Sequence, residues 1–236
     1  YEMELLVNEF NVDPSLIHHL PFMVDLKAVP QSTLGFNERS HFMTIGNFRH
    51  APNWDAVLQL QMIWPKLRKQ LPDAELHIYG SYPPPKATAI HNPKIGFHIK
   101  GWAKDAQEVV EQARVCLAPL RFGAGIKGKL LDAMKVQTPS VTTAVGSEGM
   151  LAQNGDEWPG ATVESVEQFV QAAVDLYSNE DHWLQAQERC HNLLNAGYDA
   201  QPLGEALVDR LLKIESNLSE HRLDNFTGSM LKHHTM

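Results

Sequence analysis

One stretch, Val115 to Met134, constrains this chain more than any other; it reads VCLAPLRFGAGIKGKLLDAM. The apolar run that ends at Leu120 predicts a buried strand, the glycines that follow predict a turn, and the rest predicts a helix. Backbone N–H groups at a helix start point towards a ligand, so a strand, a glycine-rich loop and a helix in this order suit a phosphate group. The stretch therefore predicts a diphosphate site.

The charged residues of this stretch agree with that prediction. Lys127 and Lys129 place two cations at the predicted helix start, where Gly125 lets the backbone approach a ligand closely. Asp132 follows Lys129 by three residues and shares its helix face. The helical rise from Lys127 to Asp132 is about 7 Å, which spans a pyrophosphate and a ribose. Asp132 is therefore the candidate acceptor for ribose hydroxyls.

A different nucleotide site has a similar pattern. Residues 123–128 also read G-x-G-x-x-G, and Glu148 follows at about the distance of the acidic residue in dinucleotide sites. An NAD-dependent oxidoreductase domain is therefore an alternative. The predicted loop follows the fourth strand rather than the first, and it carries two lysines where a dinucleotide needs only backbone. A catalytically silent nucleotide-binding module is a second alternative.

The composition limits the classes of protein to which this chain could belong. The length of 236 residues suits one domain with extensions, and 43% hydrophobic and 20% charged residues are ordinary for a globular protein. A formal charge of -8 argues against nucleic acid as a general partner. No apolar run is long enough for a membrane span. The two cysteines, Cys116 and Cys190, form no disulfide framework, so a cytoplasmic location is expected.

Two pairs of adjacent histidines are candidate metal ligands. His18-His19 and His233-His234 are adjacent pairs rather than pairs on one helix face, so they predict solvated surface. The sequence contains no Asp-x-Asp pair. We therefore expect no metal and no cofactor beyond a nucleotide substrate.

Strand and helix patterns alternate along most of the chain. This alternation predicts an α/β fold, a Rossmann-like doubly wound parallel sheet with ligands beyond the carboxyl ends of its strands. Trp102 is expected to pack against the domain, and the apolar face of the last long helix, with Leu211, is expected to join the core. The predicted strands are 41–45, 75–79, 95–99, 115–118, 140–143 and 161–163, and the main predicted helices are 53–70, 127–136, 165–178, 180–195 and 203–218.

Several segments, in order and spacing, resemble glycosyltransferase family 4, the group 1 sugar-nucleotide transferases whose GT-B fold pairs two facing Rossmann-like domains. The resemblance covers roughly residues 41–195 and implies the C-terminal, nucleotide-sugar-binding half. The matching segments are TIGNFRHAPNWDAV (44–57), ELHIYG (75–80), IKGWAKD (99–105), APLRFGAGIKGKLLDAM (118–134), TPSVTT (138–143) and VGSEGM (145–150).

The resemblance also implies a domain organisation. Residues 1–36 would be the end of an N-terminal domain and the interdomain linker, with LPFMVD (20–25) in the linker. Residues 37–218 would form the Rossmann-like domain, and residues 219–236 a C-terminal tail. Because the first residue is Tyr1 and a helix pattern begins at once, we expect a fragment of a longer enzyme.

In this family, a sugar moves from a nucleoside diphosphate to an acceptor hydroxyl with retention at the anomeric carbon. The resemblance implies a UDP- or GDP-linked donor and a saccharide or lipid-linked acceptor, held by the N-terminal domain. The fragment alone would be inactive. A cytoplasmic role in cell envelope polysaccharide synthesis follows, with the full-length enzyme at the inner face of the membrane as a compatible arrangement.

Individual residues take their expected roles from the same resemblance. Lys127 and Arg49 would be catalytic, because they would stabilise the leaving diphosphate. The base would lie against residues 99–102. The remaining donor-binding residues would be Gly46, Asn47, Gly125, Lys129, Asp132, Glu148 and Gly149.

The sequence departs from the family pattern in both of its common motifs. The family usually has two glutamates separated by seven residues; the first falls on Ala124 and the second on Asp132. The common A-x-G-x-P motif reads KVQTP at 135–139, so Gln137 replaces its glycine. The shorter carboxylate at Asp132 weakens the expectation of a ribose contact there.

Overall fold

The computed structural model describes residues 2–29, 34–151, 157–225, 228 and 230. The chain divides into two compact units, one formed by residues 27–197 and the other by residues 1–26 with 198–236. The larger unit contains the sheet and the candidate site. His233-His234 lies outside the described residues, and the domain boundaries at 37 and 218 stay a prediction.

A six-stranded sheet organises the larger unit. All its strand pairs are parallel, and the strand order is β3-β2-β1-β4-β5-β6. This order is that of a Rossmann-like doubly wound sheet and confirms the predicted fold class. The strands are β1 (Ser40–Ile45), β2 (Leu76–Tyr79), β3 (Phe97–Gly101), β4 (Ala113–Ala118), β5 (Ser140–Thr142) and β6 (Gly160–Thr162).

Helices follow most strands, as the alternation predicts. Asp105 accepts hydrogen bonds from the N–H groups of Gln107 and Glu108 and so caps the helix after β3. The α-helices of the described residues are α1 (Glu2–Asn8), α2 (Ala51–Gln70), α3 (Pro85–Ala89), α4 (Ala106–Glu111), α5 (Gly128–Lys135), α6 (Ala144–Ser147), α7 (Val166–Ser178), α8 (Glu180–Gly197), α9 (Ala200–Ser216) and α10 (Leu218–Asp224).

A hydrophobic core cluster lies on one face of the sheet, under α2 and α7, and further apolar residues such as Met43 and Cys116 are buried on the other face. Phe42, Leu76 and Leu117 come from three strands and are fully buried in the core cluster. Trp64 of α2 joins them, and its indole N–H donates to the carbonyl of Ile95 at 2.7 Å. Because side chains alternate along a strand, the residues between these face the other side of the sheet.

A buried arginine fixes the segment after α5. The Arg39 guanidinium donates to the carbonyl of Val136 at 2.8 Å and to the hydroxyl of Thr138 at 2.6 Å. It is fully buried, and burial lowers its pKa to about 10. These hydrogen bonds hold the chain around Gln137, whose φ is +55°.

Two expectations about packing are wrong, and the third and fourth strands differ from their predicted bounds, since β4 begins at Ala113 rather than at residue 115. Trp102 is 76% exposed, because β3 ends at Gly101 and the chain leaves the sheet before the indole can pack. The third strand begins two residues later than expected, since residues 93–95 form a 3-10 turn.

The smaller unit carries the second wrong prediction about packing. No residue of α9 is buried, and Leu211 and Leu212 are 55% and 56% exposed. Helical periodicity identifies an apolar face but does not supply a surface to cover it. None of the described helices is long and apolar enough to cross a membrane.

Candidate functional site

The candidate site lies where the sheet order reverses. β1 and β4 are neighbours, and the chain leaves them in opposite directions, towards α2 and α5. In open α/β sheets, this is the point at which the strand ends leave a crevice for ligands. A cavity of about 320 Å³ opens here. Its size is at the lower end of the range for small-molecule sites.

The cavity brings together four of the predicted site residues, Gly46, Lys127, Lys129 and Asp132. Gly46 comes from the end of β1, and the other three come from the loop and helix after β4. The other lining residues are Ile45, His50, Pro52, Asn53, Leu120, Phe122, Gly123, Ala124, Ile126 and Gly128.

The N-terminus of α5 is open towards a ligand. Lys127 is the N-cap residue, and its side chain makes no capping hydrogen bond. Among the described hydrogen bonds, none uses the N–H group of Gly128 or of Lys129. Free N–H groups and the helix dipole together attract an anion, so this helix start has the properties of a phosphate site.

The Lys127 ammonium is held above the glycine-rich loop. Lys127 is buried, with 8% exposure, and its Nζ donates to the carbonyl of Gly125 at 2.6 Å. Gly125 has a φ of +69°, the left-handed region that glycine adopts without strain. The loop conformation thus holds this ammonium at the start of α5, where the N–H groups of Gly128 and Lys129 are free.

Lys129 is a cation in a desolvated position. Burial lowers its pKa to about 8. The described ion pairs include none that joins a carboxylate to Lys129. An anionic ligand would supply the missing negative charge and raise this pKa.

Asp132 lies one turn further along α5, at the cavity wall. Its Oδ1 accepts from Lys135 Nζ at 3.0 Å, and its side chain is half exposed. The second carboxylate oxygen is therefore available to a ligand in the cavity. This placement fits the expected hydrogen bonds to ribose hydroxyls.

Two contacts fix the loop between β4 and α5. Arg121 forms a two-pronged ion pair with Asp55 of α2, with Nε 2.9 Å from Oδ2. Thr143, after β5, donates to the carbonyl of Leu120 at 2.5 Å. Both contacts hold the first part of the loop, next to β4, and so limit its movement before a ligand arrives.

The loop after β1 forms the opposite wall. A Cβ at Gly46 would lie 2.6 Å from the Asn53 side chain, so only glycine fits there. Asn53 in turn donates to the carbonyl of Asn47 at 3.1 Å. The Asn47 side chain accepts from the Arg49 N–H at 2.9 Å and so shapes its own turn. Asn47 does not line the cavity, although it supports the residues that do.

Arg49 points away from the cavity. Its guanidinium lies over the Tyr82 ring, 4.1 Å from the ring centroid. Both residues border a neighbouring pocket, together with Trp54 and Lys86, whose ammonium lies 4.5 Å from the Trp54 ring centroid. The structure therefore does not bring Arg49 together with Lys127 and Lys129.

Glu148 and Gly149 lie behind the site rather than in it. Glu148 ends the short helix α6. A Cβ at Gly149 would lie 3.9 Å from Ile126, a residue of the cavity wall, so this turn supports the wall. Neither residue lines the cavity as it stands.

Sequence reasoning missed three cavity residues at the start of α2. His50 is the N-cap residue of α2, and Pro52 and Asn53 follow in its first turn. The sequence did contain a signal for these residues. A proline in the first turn marks a helix start, and this helix start follows the end of β1 beside Gly46. Phe122 and Ile126, the apolar part of the wall, gave no comparable signal.

The site can now be compared with known proteins. The family described as Glycosyl transferases group 1 matches residues 39–179, which is more than half of the chain. The chain therefore belongs to the group 1 glycosyltransferase family. A search of curated protein sequences found no significant match.

Solved structures share the fold at low sequence identity. One is a variant of S. aureus TarM, solved in complex with UDP, α-GlcNAc-glycerol and fondaparinux. It is 15% identical to this chain, with a TM-score of 0.71, and the match covers 87% of this chain and 41% of TarM. WaaG, a glycosyltransferase of lipopolysaccharide biosynthesis, is 18% identical with a TM-score of 0.64 over 86% of this chain and 58% of WaaG.

A third structure, the C-terminal domain of LpcC from Francisella tularensis, is matched over nearly its whole length. It is a group 1 glycosyltransferase domain, 16% identical with a TM-score of 0.56 over 75% of this chain and 98% of that domain. By contrast, this chain spans 41% of TarM and 58% of WaaG. The neighbours confirm the GT-B type of Rossmann-like domain.

Proposed function

We propose that this chain binds a nucleotide-sugar donor for a retaining glycosyltransferase, with the diphosphate at the N-terminus of α5. Lys127 and Lys129 contact the diphosphate, and Asp132 contacts the ribose. Two observations support this proposal: the chain belongs to a glycosyltransferase family, and two lysines line the cavity at the start of α5.

One observation carries the proposal: two cations and the free N–H groups of α5 converge in a cavity at the sheet's reversal point. Each element attracts an anion by itself. Because burial lowers the Lys129 pKa, this cation is costly without a counter-charge. Such an arrangement favours a dianionic ligand over a neutral one.

The same groups suit the chemistry of sugar transfer. The bond between the anomeric carbon and the diphosphate oxygen breaks, and negative charge grows on the diphosphate as it leaves. Lys127 and Lys129, with the N–H groups of Gly128 and Lys129, stabilise that charge most strongly at the transition state. Cations supplied by the chain do here what a bound metal does elsewhere, so we propose transfer without a metal or cofactor.

Arg49 has a less direct role in this proposal. Its guanidinium rests on Tyr82 and would have to leave that ring to reach the diphosphate. Gly149 and Asn47 support the walls of the cavity, and Glu148 ends the neighbouring helix α6. Gly125 supplies the turn that presents the Lys127 ammonium.

The donor base and the acceptor complete the proposal. TarM, which shares this fold, was solved with UDP, so UDP is the first nucleotide to test, with GDP second. The acceptor is a saccharide or a lipid-linked saccharide of the cell envelope, bound by a facing N-terminal domain of the full-length enzyme. The enzyme would act in the cytoplasm, at the inner face of the membrane.

Titration calorimetry with UDP, GDP, ADP and NAD tests this proposal. Lys127→Met keeps the apolar stem but removes the charge, and it should weaken binding of the preferred nucleotide by about 1.5–3 kcal/mol. Lys69→Met, an exposed lysine in the last turn of α2, is the matched control and should bind like the wild type.

Each outcome has a defined meaning. UDP or GDP binding that depends on Lys127 but not on Lys69 supports the proposal. Preference for NAD, with no effect of Lys127→Met, would overturn it in favour of a dinucleotide site held by backbone alone. Binding of none of the four nucleotides would contradict a formed donor site in this chain.

A further inference from the structure

A second cluster of chemically active side chains lies on the sheet face opposite the core. Leu76 and Ile78 of β2 face the core, so His77 between them faces the other side. The same alternation places His41 of β1 and His98 of β3 on that face. His77 and His98 are register partners on neighbouring strands, so their rings come together.

The rings pack closely and leave nitrogen atoms without partners. His41 stacks on His77 with centroids 4.0 Å apart, and His98 meets His77 edge to face at 5.2 Å. Among the described residues, His41 Nε2, His77 Nδ1 and His98 Nε2 are buried and have no hydrogen-bond partner in the protein. Unpaired buried nitrogens are unfavourable, and a cation bound by His98 Nε2 would satisfy one of the three.

Glu75, at the start of β2, completes a set of ligands. Its Oε2 lies 2.8 Å from His77 Nε2, and its Oε1 lies 3.6 Å from His98 Nε2. The second distance is too long for a hydrogen bond. It is close to the separation of about 3.3 Å between two ligands of one tetrahedral zinc ion, which follows from zinc–ligand bonds of about 2.0 Å.

From this geometry we propose that Glu75, His77 and His98 form a binding site for a zinc-like divalent transition metal. One ligand atom from each residue lies within 4.8 Å of the other two. Two imidazoles and one carboxylate suit zinc and its neighbours rather than magnesium or calcium, which prefer oxygen ligands. The exposed side of Glu75 leaves the fourth position to water.

Packing holds the two histidines in place for this role. The side chains of His77 and His98 are only 12% and 14% exposed. The His41 ring stacks on the His77 ring and so limits the rotation of His77. His41 is therefore a positioning residue.

The site is separate from the nucleotide cavity and has a structural role. None of the residues that line the cavity belongs to it. β3 is the last strand of the sheet, so a metal held by β2 and β3 would fasten this edge strand. The site thus stabilises the fold and takes no part in sugar transfer.

Zinc titration of the metal-free chain, followed by thermal unfolding and calorimetry, tests the proposal without any nucleotide. One equivalent of Zn²⁺ should bind, and an excess should raise Tm by about 5 °C or more. Mg²⁺ should have no effect. Glu75→Gln and His98→Gln should abolish the stabilisation, and circular dichroism should show that both variants fold.

His91→Gln is the matched control, because the His91 ring is 5.8 Å from His98 but outside the ligand set. It should keep the zinc response. A second control replaces His18, His19, His233 and His234 with asparagine and should also keep it. The proposal is overturned if zinc does not stabilise the chain, if Glu75→Gln responds like the wild type, or if the second control loses the response.

Discussion

The lowered pKa of Lys129 leads to a quantitative prediction about the pH dependence of nucleotide binding. With a pKa of about 8 in the free chain, the ammonium is about nine-tenths charged at pH 7 and about one-tenth charged at pH 9. A bound diphosphate raises this pKa, so the bound chain stays charged over the same range. The affinity for UDP should therefore fall about tenfold between pH 7 and pH 9, or by about 1.4 kcal/mol.

The sign follows from where the proton binds. The charged form of Lys129 is the form that binds the diphosphate, so lower pH strengthens binding and proton uptake accompanies it. The terminal phosphate of UDP has already ionised above pH 7 and adds little to this slope. The Cys116 thiol stays neutral, because burial raises its pKa to about 12.

Calorimetry at pH 7, 8 and 9, in buffers with different ionisation enthalpies, measures both the affinity and the number of protons taken up. Lys129→Arg is the sharpest control, because a guanidinium remains charged throughout this range. Its UDP affinity should be nearly independent of pH. The role assigned to Lys129 would be refuted if the UDP affinity of Lys129→Arg fell tenfold between pH 7 and pH 9, or if the affinity of the wild type did not change over this range.

Three further substitutions test other parts of the structure. Gln137→Gly should stabilise the chain by about 0.5–1 kcal/mol in urea unfolding, because glycine relieves the left-handed φ of +55°, whereas Gln137→Ala should not. Arg39→Met should lower the free energy of unfolding by at least about 2 kcal/mol, since the Val136 carbonyl and the Thr138 hydroxyl lose a charged donor; no loss would contradict that network. Arg49→Ala should change UDP affinity by less than about 0.7 kcal/mol, or threefold, and a loss equal to that of Lys127→Met would place Arg49 at the diphosphate.

Much of the fold could be predicted from the sequence because its signals are local. Apolar runs such as Val115 to Leu120, and the helix segments between them, reflect side-chain periodicities of two and 3.6 residues. The phosphate loop was equally visible, since its glycines and lysines are consecutive in the chain. Strand order and register then brought Gly46 beside this loop, as the fold class requires.

The features that could not be predicted depend on the direction in which a side chain points and on contacts between residues that are far apart in the sequence. Arg49 follows β1 as expected, but its side chain turns to Tyr82, a choice that involves a loop thirty-three positions away. The exposure of Trp102 and Leu211 depends on which surfaces are available to cover them. His77 and His98 are separated by a helix and two turns in sequence, and only the register of β2 and β3 makes them neighbours.

The central claim is that the diphosphate binds at the free N–H groups of Gly128 and Lys129. Amide chemical shifts in ¹H–¹⁵N NMR spectra, recorded while UDP is added, test it most directly. The signals of these two residues should move furthest, and Lys127→Met should reduce their movement. If the largest shifts instead fall on the pocket of Arg49 and Tyr82, and the start of α5 stays unchanged, the donor binds elsewhere and the account is wrong.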